Sequence, residues 1–147
     1  MIVRDENDML ALGARLAEVV QPGDVIALRG GLGAGKTTLA RGLLSSLGLE
    51  EEAPSPSFAI VQPYDPPLVR VPVTHVDLYR LENAAEAEEL GLDELLCDSL
   101  LLIEWPERLG AALWPHSLIL DIATSPDGTR LLTATVPAAW KNRWPLK

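Results

Sequence analysis

The sequence predicts a single α/β domain: a mixed, mostly parallel sheet carrying an antiparallel hairpin, with helices on both faces. Three observations predict it. Residues 30–37, Gly-Gly-Leu-Gly-Ala-Gly-Lys-Thr, satisfy the spacing G-x-x-x-x-G-K-[ST] of a phosphate-binding loop. The apolar run at 25–28 just before it, with β-branched Val25 and Ile26, reads as a buried parallel strand. After it, Leu39, Leu43 and Leu47 recur every four residues, the stripe of a helix that Gly48 stops.

Strand, glycine loop and helix in that order are what triphosphate binding requires. A glycine-rich turn joining strand to helix would need no such spacing. Glycines let successive backbone N–H groups face an anion where a Cβ would collide with it. The helix N-terminus adds its partial positive charge. Lys36 reaches the β- and γ-phosphates, and the Thr37 hydroxyl ligates Mg²⁺. Residues 1–147 are therefore expected to form one P-loop domain. Its expected nucleotide-binding residues include Gly31, Leu32, Gly33, Ala34, Gly35, Lys36, Thr37 and Thr38.

The remaining elements follow in order. Asp5 and Asp8 stand at cap and third-position spacing, so a helix begins near Asp5. Met9, Leu12, Leu16 and Val19 form its buried stripe, and Pro22-Gly23 ends it. Pro54, Pro56, Pro63, Pro66, Pro67 and Pro72 exclude a regular helix from 54–72. Within that stretch 57–61 reads as a strand and 64–67 as a turn. Residues 73–79 form another strand, whose alternation puts His75, Asp77 and Tyr79 on one face and Val76 and Leu78 on the other. These two strands suggest a hairpin inserted in the sheet. Asn83 caps a helix over 84–90, and the apolar strand 100–103 ends in Glu104. Pro126-Asp127-Gly128 joins strands 118–122 and 130–136 as a hairpin.

Composition narrows the partners. No apolar run approaches the ~18 residues needed to span a bilayer. The first residues lack the basic and apolar regions of a secretory signal. Cys97 has no second cysteine to pair with, so a reducing cytoplasm is the expected compartment and a small core filler its expected role. The net charge is −9, and residues 82–107 hold nine acids without a Lys or Arg, which disfavours tight direct contact with nucleic acid. Lys141, Arg143 and Lys147 form a small basic cluster, read as a solvated tail or a contact for an acidic partner or RNA.

A nucleotide hydrolase needs a carboxylate at the end of a buried strand, facing the metal. Glu104 stands there, one methylene longer than the usual Asp; its alternative is a surface charge at a strand end. Asp77, between apolar neighbours, either polarises the attacking water or pairs with Arg80. His75 shares its face and is read as structural. Ser55 and Ser57 lie where a loop could sense the γ-phosphate. Glu107, after a Trp-Pro turn, is a candidate for assisting hydrolysis. Trp105 packs beside the site or docks a partner, and Trp114, Trp140 and Trp144 are read as core or edge packing.

The chain resembles the bacterial TsaE family of tRNA threonylcarbamoyladenosine biosynthesis proteins. The resemblance rests on Gly33-Ala34-Gly35-Lys36-Thr37-Thr38, Ser55-Pro56-Ser57-Phe58, and His75-Val76-Asp77-Leu78-Tyr79-Arg80-Leu81. It continues in Glu88-Glu89-Leu90-Gly91-Leu92 and Ile103-Glu104-Trp105-Pro106-Glu107. Two positions depart: Gly31 stands where the family usually has Asp, and Ser57 where it usually has Thr. The loop should still form, and Ser57 keeps the hydroxyl. The resemblance implies an ATPase using ATP and Mg²⁺ that works with TsaB and TsaD and meets tRNA only through that complex. It also implies that Thr37 and Glu104 hold the metal, Lys36 and the loop hold the phosphates, and Asp77 belongs to the catalytic set. Adenine contacts are implied near Glu6 and Arg130.

Two other classes share the loop, one enzymatic and one regulatory. A small-molecule kinase would place arginine-bearing helices and a basic lid after the phosphate helix; here that region is proline-rich, and 82–107 has no basic residue. A GTPase-type switch protein would carry an Asn-Lys-x-Asp segment to read guanine, and the sequence has none.

Overall fold

Residues 25–28 are apolar without alternation because they lie at the middle of a sheet covered on both faces. In the computed structural model, which describes residues 1–50 and 61–144, the strands are β1 (Ile2–Val3), β2 (Val25–Gly30), β3 (Val61–Tyr64), β4 (Val73–Asp77), β5 (Leu100–Glu104), β6 (Leu118–Thr124) and β7 (Arg130–Thr135). Among the described residues they form one sheet in the order β1-β7-β6-β2-β5-β4-β3. The four central strands β6, β2, β5 and β4 are parallel; β3 pairs antiparallel with β4 on one side, and on the other β7 pairs antiparallel with β6 and β1 antiparallel with β7. The expected antiparallel hairpin is β3–β4: β4 joins the parallel strands beside β5, and β3 forms the edge of the sheet. Residues 51–60 lie outside the described residues, and with them Ser55, Ser57 and most of the strand expected at 57–61.

Each face of the sheet has its own helices. Ile26, Leu28, Leu100, Leu102, Leu118 and Leu120 pack beneath α1 (Glu6–Ala17) and α2 (Lys36–Ser46). Val25, Val76, Leu101 and Ile103 pack on the other side with Ala87 and Leu92 of α3 (Ala84–Glu88) and α4 (Leu92–Asp98). Burying either set of branched side chains stabilises the domain by about 1.5–3 kcal/mol per residue before entropy is subtracted.

Asp5 caps α1, its carboxylate accepting the Asp8 N–H at 2.8 Å. The helix ends at Ala17, earlier than Pro22-Gly23 suggested. Arg143 takes the Val19 carbonyl at 3.0 Å and Asp24 accepts the Gln21 N–H at 2.9 Å, so the chain has left the helical path by there. Where α1 crosses α2, backbone meets backbone. A Cβ on Gly13 would stand 2.4 Å from the Leu39 carbonyl oxygen, and one on Gly42 2.4 Å from that of Leu10. The stripe Leu39, Leu43 and Leu47 is buried as expected.

Two further boundaries differ from the sequence reading. β4 stops at Asp77, not 79, because the Asp77 carboxylate accepts the Tyr79 N–H at 2.9 Å and turns the chain. The helix expected over 84–90 ends at Glu88, and after Gly91 the chain begins α4, which had no clear signal. Cys97 is exposed instead of filling the core: α4 turns Leu92 inward and leaves the thiol outward, donating to the Asp93 carbonyl at 3.5 Å. Trp140 is fully buried, Trp144 packs against the core, and the Trp114 indole N–H donates to Asp93 at 2.8 Å. Among the described residues, no helix is long and apolar enough to cross a membrane.

Candidate functional site

The site forms where the parallel strands end. β2 leads through the glycine loop into α2 on one face, whereas β5 leads into 3₁₀ turns over Pro106–Ala112 that pack on the other. Neighbouring strands whose connections leave to opposite faces open a crevice at their carboxyl ends. Register puts Glu104 beside both Leu28 of β2 and Asp77 of β4. Residues 100, 102 and 104 point to the α2 side, as do 73, 75 and 77, so Glu104, His75 and Asp77 all face the loop.

Gly35, at φ 108°, occupies the N-cap of α2 with no side-chain cap, leaving the first N–H groups of the helix directed at the crevice. A Cβ there would stand 2.9 Å from the Met9 methyl besides being strained. Lys36 follows, only 5% exposed. Its ammonium donates to the Gly30 carbonyl at 2.6 Å and lies 3.5 Å from the centre of the Trp105 ring. Burial lowers its pKa, and the opposing pull of Glu104, Glu107 and Asp77 raises it. Trp105 holds this position through a left-handed backbone (φ 61°), uncommon for a bulky residue, and its ring packs against Tyr79 with centroids 4.9 Å apart and planes tilted by 45°.

The Thr37 hydroxyl lies 3.2 Å and 3.4 Å from the two Glu104 carboxylate oxygens. On the far side of that carboxylate, His75 Nε2 stands 2.7 Å from Oε2. Asp77 and Glu104 are 5% and 3% exposed, so neither is a surface charge. Loop residues 32–38, Asp77, Glu104 and Trp105 enclose a pocket of about 250 Å³. Lys36 is its one cation among the described residues.

A second pocket of about 420 Å³ opens on the other side of the loop. Arg4, Asp5, Glu6 and Met9 line it with Gly33, Ala34, Gly35, Thr38, Gly128 and Arg130. Glu6 and Arg130 thus meet at one cavity although 124 positions separate them in the sequence. Arg130 also holds the loop directly, donating to the Gly33 and Ala34 carbonyls at 3.1 Å each.

The other expected site residues are placed less centrally. Leu32 is 75% exposed at the lip of the smaller pocket, and Gly31 is exposed and lines neither pocket. Glu107 is exposed and outside both, though its charge reaches Lys36 and Arg29. The sequence reading missed the engagement of His75 with Glu104 and the seat of Lys36 on Trp105. For His75 the signal was its alternation with Asp77; for Trp105 it was only adjacency to Glu104.

Comparison with known proteins decides the family. The sequence model described as "Threonylcarbamoyl adenosine biosynthesis protein TsaE" matches residues 3–132. This chain belongs to the TsaE family. The TsaE protein of Mycobacterium tuberculosis is 38% identical over 135 residues, covering 86% of this chain and 80% of its own length. That of Bacillus subtilis is 36% identical over 126 residues, covering 85% and 77%. That of Streptomyces coelicolor is 45% identical over 100 residues, covering 67% and 68%. The crystal structure of Bacillus subtilis YdiB superposes with a TM-score of 0.83 at 28% identity, over 98% of this chain and 88% of YdiB. The fold is thus one this TsaE chain shares with a solved protein, and its glycine loop gives it a nucleotide-binding character.

Proposed function

We propose that this chain binds ATP with Mg²⁺ and hydrolyses it slowly, as the accessory ATPase of tRNA threonylcarbamoyladenosine formation alongside TsaB and TsaD. One observation carries the reading: Lys36, Thr37, Glu104 and Asp77 converge on one pocket at the loop and the N-terminus of α2. The family name supports the pathway. The net charge of −9 supports an accessory place in it, in which partners grip the tRNA.

The donor set suits a hard divalent cation. Thr37 and Glu104 offer oxygens 3.2 Å apart, and Mg²⁺ is usually held by one or two protein oxygens with substrate phosphates and water. When bound, the ion neutralises charge developing on the phosphate oxygens. The loop N–H groups and Lys36 bind and orient the β- and γ-phosphates. Asp77 would orient and deprotonate the attacking water; its burial and its contact with the Tyr79 N–H, which fixes the carboxylate, support that role. Trp105 covers the ammonium and limits water on that side.

Three measurements test this. Multiple-turnover phosphate release should rise when purified TsaB–TsaD is titrated in; a rate indifferent to the partners refutes the coupling. Asp77→Asn keeps the acceptor for Tyr79 and removes the charge. Turnover should fall about 10²- to 10⁴-fold with ATP affinity nearly unchanged. Equal losses in affinity and turnover would place Asp77 in binding instead. Glu104→Gln should raise the Mg²⁺ needed for half-maximal turnover at least about tenfold, and an unmoved metal titration removes it from the ligand set.

A further inference from the structure

We propose that His75 is a positioning residue: it fixes the Glu104 carboxylate so that one oxygen is presented to Thr37 and to the divalent ion. This rests on the Mg²⁺–ATP reading above. Glutamate has one more rotatable bond than the aspartate usual at such strand ends, so its carboxylate has more positions to lose. Burial does not choose among them. Asp77, its register partner across the β4–β5 ladder, repels it, while Lys36 attracts it. Neither contact selects a single orientation of the carboxylate.

His75 supplies the missing constraint. It lies two residues before Asp77 on the same strand face, and its Nε2 reaches Glu104 Oε2 at 2.7 Å. The two side chains are 1% and 4% exposed, so water scarcely competes for the contact. With Oε2 held there, Oε1 is the oxygen nearer the Thr37 hydroxyl. The other ring nitrogen, Nδ1, makes no hydrogen bond among the described residues. Glu104 is therefore the one polar engagement of the ring recorded among them. A proton on Nε2 lets the ring donate to the carboxylate and leaves only a lone pair at Nδ1, which costs less to bury unmade than an N–H. Outer partners of this kind orient metal-binding side chains.

The test follows binding of a fluorescent, non-hydrolysable ATP analogue as Mg²⁺ is titrated, together with binding in a chelator and a thermal melt. It compares wild type with His75→Gln, His75→Asn and His75→Leu. The glutamine amide extends to about the place of Nε2, whereas asparagine falls short and leucine has no donor. His75→Asn and His75→Leu should raise the half-saturating Mg²⁺ about 10- to 100-fold without changing affinity in chelator, and His75→Gln should stay within roughly threefold of wild type. Two loss variants are used so that unfolding of one leaves the other to decide. A loss variant with the wild-type midpoint overturns the proposal. So does a glutamine variant as impaired as they are, which would make His75 a packing residue. A wild type whose nucleotide binding ignores Mg²⁺ overturns the Mg²⁺–ATP reading and the inference together; a responsive wild type with unmoved variants overturns only the role of His75.

Discussion

Lys36→Ala is expected to lower ATP turnover at least about a hundredfold, the usual scale for removing one preorganised donor from a developing charge. Lys36 is the sole positive side chain lining the smaller pocket among the described residues, and Glu104 and Asp77 line it too. Without the ammonium that pocket keeps two carboxylates against a triphosphate, so affinity should fall along with rate. Arginine should not rescue: its planar guanidinium does not fit the seat between the Gly30 carbonyl and the Trp105 ring. Phosphate release and calorimetric ATP binding check this, with a melt to show that the variant folds. Turnover close to wild type would remove Lys36 from the chemistry.

Gly42→Ala is expected to cost about 2–3 kcal/mol of stability, the upper range for forcing an atom into a packed interior. In a domain of this size that lowers the melting temperature by roughly 4–12 °C. The clash is with backbone, 2.4 Å from the Leu10 oxygen and 2.8 Å from its Cα, so no side chain can swing aside. The helices must separate. α1 contributes Glu6 and Met9 to the larger pocket and α2 begins at Lys36, so the separation should also weaken nucleotide binding. Differential scanning calorimetry reads the first effect. A melt unchanged from wild type would mean that the crossing is looser than its geometry.

The parts of this molecule that could be read from its sequence are those whose physics is local. Val25 to Leu28, the glycines and Lys36-Thr37 announce strand, loop and helix through neighbours in the chain. Glu104 could be read because the short apolar run before it, Leu100 to Ile103, has the length and composition of a buried strand. The Asp127-Gly128 turn and the Asp5 and Asn83 caps are likewise local. What escaped depends on contacts across the fold. Nothing in their neighbours marks Gly13 and Gly42, whose place is set by two helix backbones that touch. The contact of His75 with Glu104 could not be read because the two lie 29 positions apart on different strands. Cys97 was misjudged because α4 had no clear signal, and without the helix its outward face could not be known. The end of β4 was overrun because alternation continued past the turn that Asp77 makes with its own carboxylate.

The guanidinium of Arg130 grips the carbonyls of Gly33 and Ala34 from 97 and 96 positions further along the chain. The cradle for the anion is therefore not a self-sufficient motif that forms as soon as its octapeptide exists. In the folded chain its shape depends on contacts with the last hairpin, a pairing of distant segments that costs more loop-closure entropy than a local one. A chain cut before β7 would keep every residue of the motif and lack the clasp that shapes it.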